Sequence, residues 1–187
     1  MSVELDEEIA TILRVHQAEY EERTFFLTHS LGAVNHWLFV QAYEAMKRDL
    51  YLPACTGFIT GIEASIRNTM AEVKKSTRVD NVDDVSTLSN GLLRAAKAQG
   101  LPIECLVFPG EEHFESNLHT KTPVEIVRIR HNLCHGNILE YVNTEVGEDN
   151  AFFTPECCRD LAHLLYAISR NWATDLGQFR KQLFSKA

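Results

Sequence analysis

What this sequence lacks narrows it before anything it contains is weighed. No apolar run approaches the roughly 20 residues that span a bilayer, which predicts a chain that does not cross a membrane. No Gly/Ser linker, low-complexity tract or internal repeat divides its 187 residues. A single domain over residues 1–187 is therefore expected, since that length at 45% hydrophobic residues supplies one real core and requires no second. Cysteine is present but unorganised. The five, Cys55, Cys105, Cys134, Cys157 and Cys158, are odd in number and contain no CxxC pair, which argues against a disulfide framework or a zinc knuckle. Basic excess is missing too. A net charge of −8 excludes a protein that coats long nucleic acid non-specifically, so any nucleic-acid contact must be a small positive site on an acidic body. The acidic stretch Met1 to Glu8 reads neither as a signal peptide nor as a transit peptide, and the cytoplasm is the expected location.

What is there is helical periodicity almost throughout, which predicts an all-α bundle of five or six helices. A first helix, Leu5 to Glu22, carries Leu5, Ile9, Ile12, Leu13 and Tyr20 near one stripe. A second follows Ser30 as N-cap and carries Val34, Leu38, Ala42, Ala45 and Met46. A third, Pro53 to Lys75, has Phe58, Ile59, Ile62, Ile66, Met70 and Val73 on its buried side. It also has a small-residue stripe, Gly57, Gly61 and Ser65. Glycine inside a helix costs about 1 kcal/mol against alanine, so another backbone is expected very close there, either within the chain or in a dimer. Thr77 to Ser86 reads as a polar loop, a short helix ends at Gly100, and Leu101 to Thr120 is expected to be irregular. Thr122-Pro123-Val124-Glu125 combines an N-cap, a first-turn proline and a capping-box glutamate, predicting a helix that stops near Gly136. Ile138 to Phe153 is a loop or a small hairpin. Thr154-Pro155-Glu156 opens the last helix, with a stripe from Leu161 through Trp172 to Leu183. Trp37 and Trp172 both fall on apolar stripes and are expected in the core.

The segment Arg130-His131-Asn132-Leu133-Cys134-His135 carries the chemistry. At 100° per residue, Val124, Ile126, Val127, Ile129, Leu133 and Cys134 cover most of the helix circumference, and Arg130 falls inside that apolar arc. A guanidinium there needs a carboxylate, a set of carbonyls or an incoming anion. Arg128, His131, Asn132 and His135 occupy the other side. Arg130 and His135 are five apart and diverge by about 140° in an ideal helix, so their convergence needs a relaxed helix end at Gly136 or a second subunit.

Arg130-His131-Asn132-Leu133-Cys134-His135-Gly136 resembles the motif of the HEPN family, the higher eukaryote and prokaryote nucleotide-binding domains: an arginine, a polar residue, a short spacer and a histidine, commonly followed by glycine. The resemblance implies a small α-helical bundle. It implies a homodimer whose two motifs share one cleft, and a metal-independent endoribonuclease with no cofactor. It also implies a place in a toxin–antitoxin or phage-defence system, with RNA as substrate and an antitoxin as a possible partner. On it Arg130 takes the motif arginine, His131 the polar follower and His135 the motif histidine, while Arg128 and Asn132 lie where substrate would be bound. The residue types suit the chemistry. Attack of the RNA 2′-OH on the adjacent phosphorus needs one group to take a proton and another to give one, and histidine titrates in that range. Arginine offers a planar charged fork to the non-bridging oxygens.

Two rival readings remain. His131 and His135, four apart, have metal-ligand spacing but lack the glutamate that follows the first histidine in a zinc protease. Alternatively Arg130 is a structural ion pair with Glu63 on the third helix, His135 is a helix-end residue, and the chain is a non-catalytic dimerisation or binding module. Asn68, beside Arg67, is placed by periodicity alone as a residue that could face the site.

Overall fold

A computed structural model describes the backbone of residues 2–29, 31–32, 34–74, 85–145, 147 and 151–185, and the side chains of these except 2–6 and 74. The expected N-cap Ser30 and most of the loop expected over 77–86 lie outside the described residues. Among those described there are seven α-helices: α1 (Ser2–Thr28), α2 (Asn35–Lys47), α3 (Tyr51–Lys74), α4 (Asn90–Ala98), α5 (Phe114–Asn117), α6 (Glu125–Cys134) and α7 (Arg159–Phe184). The all-α architecture is as expected. The added helix is the single turn α5, inside the segment Leu101 to Thr120, which otherwise holds a short 3₁₀ turn at Ile103–Leu106. Between α6 and α7 the described residues pair in an isolated antiparallel bridge, Asn143 with Phe152.

The buried apolar residues form one cluster, and α3 runs through it. Its Phe58, Ile62 and Ile66 are fully buried. The small-residue stripe works within the chain. A Cβ on Gly57 would lie 2.8 Å from the Cβ of Ala42, and one on Gly61 would lie 2.9 Å from the Phe39 ring, so both glycines let α2 approach α3. Ser65, next along the stripe, accepts a 2.8 Å hydrogen bond from Trp172 Nε1 on α7. The stripe therefore gives no support to a dimer contact.

Several expected burials fail, Val73 at the end of α3 among them, 36% exposed. Trp37 is 56% exposed: the apolar side of α2 is Phe39, Val40, Ala42, Tyr43 and Met46, which turns Trp37 and Val34 outward. Of the α1 stripe, Ile9, Ile12, Leu13 and Tyr20 are exposed and the Leu5 side chain lies outside those described; the last turns of that helix reach the bundle, with Phe26 buried and Glu22 bonded to Arg170.

The start of α6 also differs. Its N-cap is Val124, in extended conformation and without a side-chain cap of its own, so Thr122-Pro123 forms no capping box. The exposed amides are satisfied from elsewhere. Asn90 Oδ1 accepts from the Val124 N–H at 3.1 Å, and Glu111 Oε1 accepts from the Glu125 N–H at 2.7 Å. The irregular segment thus supplies the carboxylate that a helix N-terminus favours. At Thr154-Pro155 the expected start is observed: Thr154 is the N-cap of a 3₁₀ turn, Pro155–Cys158, that runs directly into α7. Cys157 is half-buried and Cys158 fully buried in that first turn.

Candidate active site

The site is the C-terminal end of α6. His135 is its C-cap, and Gly136 follows with φ +70°, a conformation that suits glycine. The Asn137 N–H donates to the Asn132 carbonyl at 2.8 Å and the Gly136 N–H to the Leu133 carbonyl at 3.4 Å. This is a Schellman ending, and it uses two of the carbonyls that a helix end leaves unpaired.

On one side of α6, Arg130 lies against α3. Its Nε donates to Glu63 Oε2 at 3.1 Å, and the two side chains are 24% and 14% exposed. The cation in the apolar arc thus has the carboxylate that the sequence pointed to. The pair sits in a groove of about 190 Å³ lined by Thr56, Thr60, Glu63, Arg67, Arg130 and Cys134 together with apolar side chains. Only Nε of Arg130 is engaged by Glu63. Asn68 is not in this groove; it donates to the buried Asn35 Oδ1 at 3.0 Å. Its neighbour Arg67 lines the groove and donates to the Val85 carbonyl at 3.1 Å.

On the other side are the imidazoles of His131 and His135. Both are exposed and their ring centroids are 4.3 Å apart. Neither has a hydrogen-bond partner among the described residues. His29 and His36 behave differently, since each is bonded to a backbone carbonyl, at 2.8 and 2.9 Å. The glycine after His135 does not bring it round to Arg130. His135 keeps helical register with His131, and the Arg130 groove contains neither histidine. Within one chain the two motif residues do not converge.

Arg128 and Asn132 are held rather than free. Arg128 is ion-paired with Glu125, at 2.7 Å, and with Glu140. Its pKa is raised above the ordinary arginine value chiefly by the hydrogen bond to Glu125. Asn132 Nδ2 donates to Glu140 Oε1 at 2.9 Å. Burial works to raise the Glu140 pKa, but the donors around it, Asn132 and Arg128 among them, outweigh it and hold the carboxyl below its usual range. Glu140 therefore fastens the segment after Gly136 back onto α6. Nothing in the sequence singled it out, because it lies on a 3₁₀ turn, Leu139–Tyr141, with no period to read.

No protein-family model matches the chain, and comparisons with curated proteins and with solved structures give no match. Among the described residues no group of three or more His, Cys, Asp or Glu is placed to hold a metal ion, so His131 and His135 have no third donor grouped with them. None of the helices described is long and apolar enough to cross a membrane.

Proposed function

We propose that this protein is a HEPN-like, metal-independent endoribonuclease whose reaction centre is completed by a second copy of the chain. The observation that carries this reading is the exposed pair His131 and His135, two adjacent imidazoles with no structural hydrogen bond among the described residues to account for them. One imidazole takes the proton of the RNA 2′-OH as that oxygen attacks the adjacent phosphorus. The other gives a proton to the departing 5′-oxygen. The products are a 2′,3′-cyclic phosphate and a free 5′-OH, with water and metal absent from the cleavage step. A guanidinium at the non-bridging oxygens stabilises the charge that builds there. Because Arg130 and His135 face opposite sides of α6, the Arg130 that serves a given histidine pair comes from the other copy. A cytoplasmic setting, RNA as substrate and an antitoxin that masks the groove all belong to this reading.

The Arg130–Glu63 ion pair at 3.1 Å favours a second reading, a non-catalytic binding module in which Arg130 fastens α6 to α3. One experiment separates the two. Purified protein is incubated with mixed RNA in excess EDTA beside Arg130→Ala and His135→Ala. Loss of general acid–base catalysis is worth roughly 10²–10⁴-fold, so folded His135→Ala should lose nearly all cleavage. Cyclic-phosphate ends on the wild-type products complete the expected result. An Arg130→Ala chain that unfolds, with no cleavage by the wild type, would establish the module. Cleavage that EDTA abolishes would instead point to the histidine pair as part of a metal site.

A further inference from the structure

The groove between α3 and α6 holds more polar chemistry than an ion pair needs. Thr56, Thr60, Glu63 and Arg67 are spaced at i, i+4, i+7 and i+11 and share one face of α3, and Arg130 and Leu133 face them from α6. The Arg130–Glu63 bond engages one atom of each partner, Nε and Oε2. Nη1 and Nη2 of Arg130 and Oε1 of Glu63 have no hydrogen-bond partner among the described residues. The threonine hydroxyls donate back along their own helix, Thr56 to the Leu52 carbonyl at 3.1 Å and Thr60 to the Thr56 carbonyl at 2.7 Å, so they offer only lone pairs to the groove. The groove therefore has an accepting stretch on α3, a donating guanidinium from α6, and apolar walls from Ile59 and Leu133. Its volume of about 190 Å³ lies below the roughly 300–1,000 Å³ of a site that encloses a drug-sized ligand, which leaves room for one flat ring system and not for a complete nucleotide.

We infer that this groove is a guanine-selective base site, with Glu63 as the residue that selects. A carboxylate only accepts hydrogen bonds. Guanine is the common RNA base whose Watson–Crick edge sets two donors side by side, N1–H and N2–H, and these match the two oxygens of a carboxylate. Uracil offers a single donor between two carbonyl oxygens. Adenine and cytosine each place a bare ring nitrogen beside the amino group, which a carboxylate repels. Bases splayed out of single-stranded RNA are read on these edges. The Nη atoms of Arg130 take the phosphate of the same nucleotide as a charge-assisted fork, and Arg67 on the groove wall adds positive charge. A bare phosphate would use the arginines alone and would meet Glu63 as a like charge, so a nucleotide suits the groove better. In the nuclease proposed above, the phosphate held here is the one presented to the histidine pair of the second copy, and cuts fall beside guanosine. That placement rests on the nuclease reading, whereas the base preference does not.

Calorimetric titration of the full chain with guanosine, adenosine, cytidine and uridine 5′-monophosphates in EDTA tests it. The guanosine nucleotide should bind about tenfold tighter than the other three, the discrimination of one good bidentate base contact. Glu63→Gln keeps a carbonyl for Arg130 Nε but turns an amide donor toward N1–H and N2–H. Folded by circular dichroism, it should lose that tenfold preference while its binding of adenosine monophosphate stays the same. A second readout needs no variant: guanosine monophosphate should slow alkylation of Cys134, at the groove's edge, at concentrations where adenosine monophosphate does not. Equal binding of all four nucleotides, or equally strong binding of inorganic phosphate, overturns the inference and leaves an anion site. No binding by any of them at about 10 mM overturns it too. A folded Glu63→Gln that still prefers guanine would remove Glu63 from the selection. A chain that prefers guanosine monophosphate and cuts no RNA keeps the base site and refutes the nuclease reading. One that cuts RNA beside all four bases alike, and binds the four nucleotides alike, does the reverse.

Discussion

At the scale of single residues, burial separates groups that composition treats alike. The five cysteines divide this way. Burial pushes the Cys55 and Cys105 thiols up to about 12 and Cys158 to about 11. Cys134 is exposed at the edge of the Arg130 groove. The thiolate is the reactive form, so raising a thiol pKa lowers the reactive fraction at any given pH. Titration of the native protein with Ellman's reagent at pH 8 should therefore show one fast thiol, Cys134. Cys157 should follow more slowly, and the other three should react only after unfolding. Fast reaction of Cys55 would mean that the contact between α3 and the start of α7 is open. The same scale shows what the sequence could deliver. Arg130 was legible because a guanidinium in an apolar arc demands a carboxylate, and Glu63 lay on the facing helix. The hold of Glu140 on Arg128 and Asn132 was not legible, since it depends on how the chain turns after Gly136.

At the scale of elements, two opposed effects meet at Gly57. Alanine there would gain about 1 kcal/mol of helix propensity. It would also bring two Cβ atoms to 2.8 Å, closer than real contacts allow. Overpacking of this kind costs about 1–3 kcal/mol, and the neighbour at fault is partly the α2 backbone, with Ala42 Cα at 3.3 Å, which cannot swing aside. Gly57→Ala should therefore lower the stability measured by urea unfolding by about 1–2 kcal/mol. A rise would show that α2 retreats at little cost. Attachment of α1 is a second matter at this scale. Glu22 accepts hydrogen bonds from Tyr166 and, at 2.5 and 2.6 Å, from Arg170, whose guanidinium also lies 4.1 Å from the Phe25 ring centroid. The Tyr166 hydrogen bond, with help from Arg170, holds the Glu22 carboxyl below its usual value, against the effect of burial. A group depressed in the folded state stabilises above its unfolded pKa and loses that contribution as pH falls through the folded one. Docking of α1 should thus be intact at neutral pH and weaken below about pH 4. Glu22→Gln should remove that acid step from the amide hydrogen-exchange protection of the last turns of α1. An unchanged step would assign it to other carboxylates. Element boundaries tell the same story about legibility. Thr154-Pro155 marked a helix start because its capping is local. The start of α6 was misread because its caps, Asn90 and Glu111, come from far along the chain.

At the scale of the whole molecule, periodicity stated which faces are able to be buried and left open which of them are. The stripes of α3 and α7 face each other and form the core, whereas Ile9, Ile12, Leu13 and Tyr20 of the α1 stripe are left exposed among the described residues. If RNA is the substrate, as proposed, the net charge of −8 limits how it can bind. Each phosphate neutralised on a single strand contributes about 0.7 to the slope of log affinity against log salt, so two or three cations near α6 predict a slope of about −2. Fluorescence anisotropy with a labelled single-stranded RNA and the His135→Ala chain checks this, and a slope steeper than about −5 would require more cations than those near α6.

The bonds that close the core join α3 to α7 and to the turn that leads into it: Ser65 with Trp172, Thr69 with Arg180, and the Cys55 thiol with the Cys158 carbonyl, pairs separated by 107, 111 and 103 positions. On a ribosome adding about 5–20 residues per second, the apolar side of α3 is made about 5–20 s before the helix that covers it. For that interval the nascent chain presents Phe58, Ile62 and Ile66 uncovered, and early folding is confined to the α2–α3 hairpin that Gly57 and Gly61 allow to close. The final helix acts as the latch of the fold, and a chain released before α7 is complete would emerge as a substrate for chaperones.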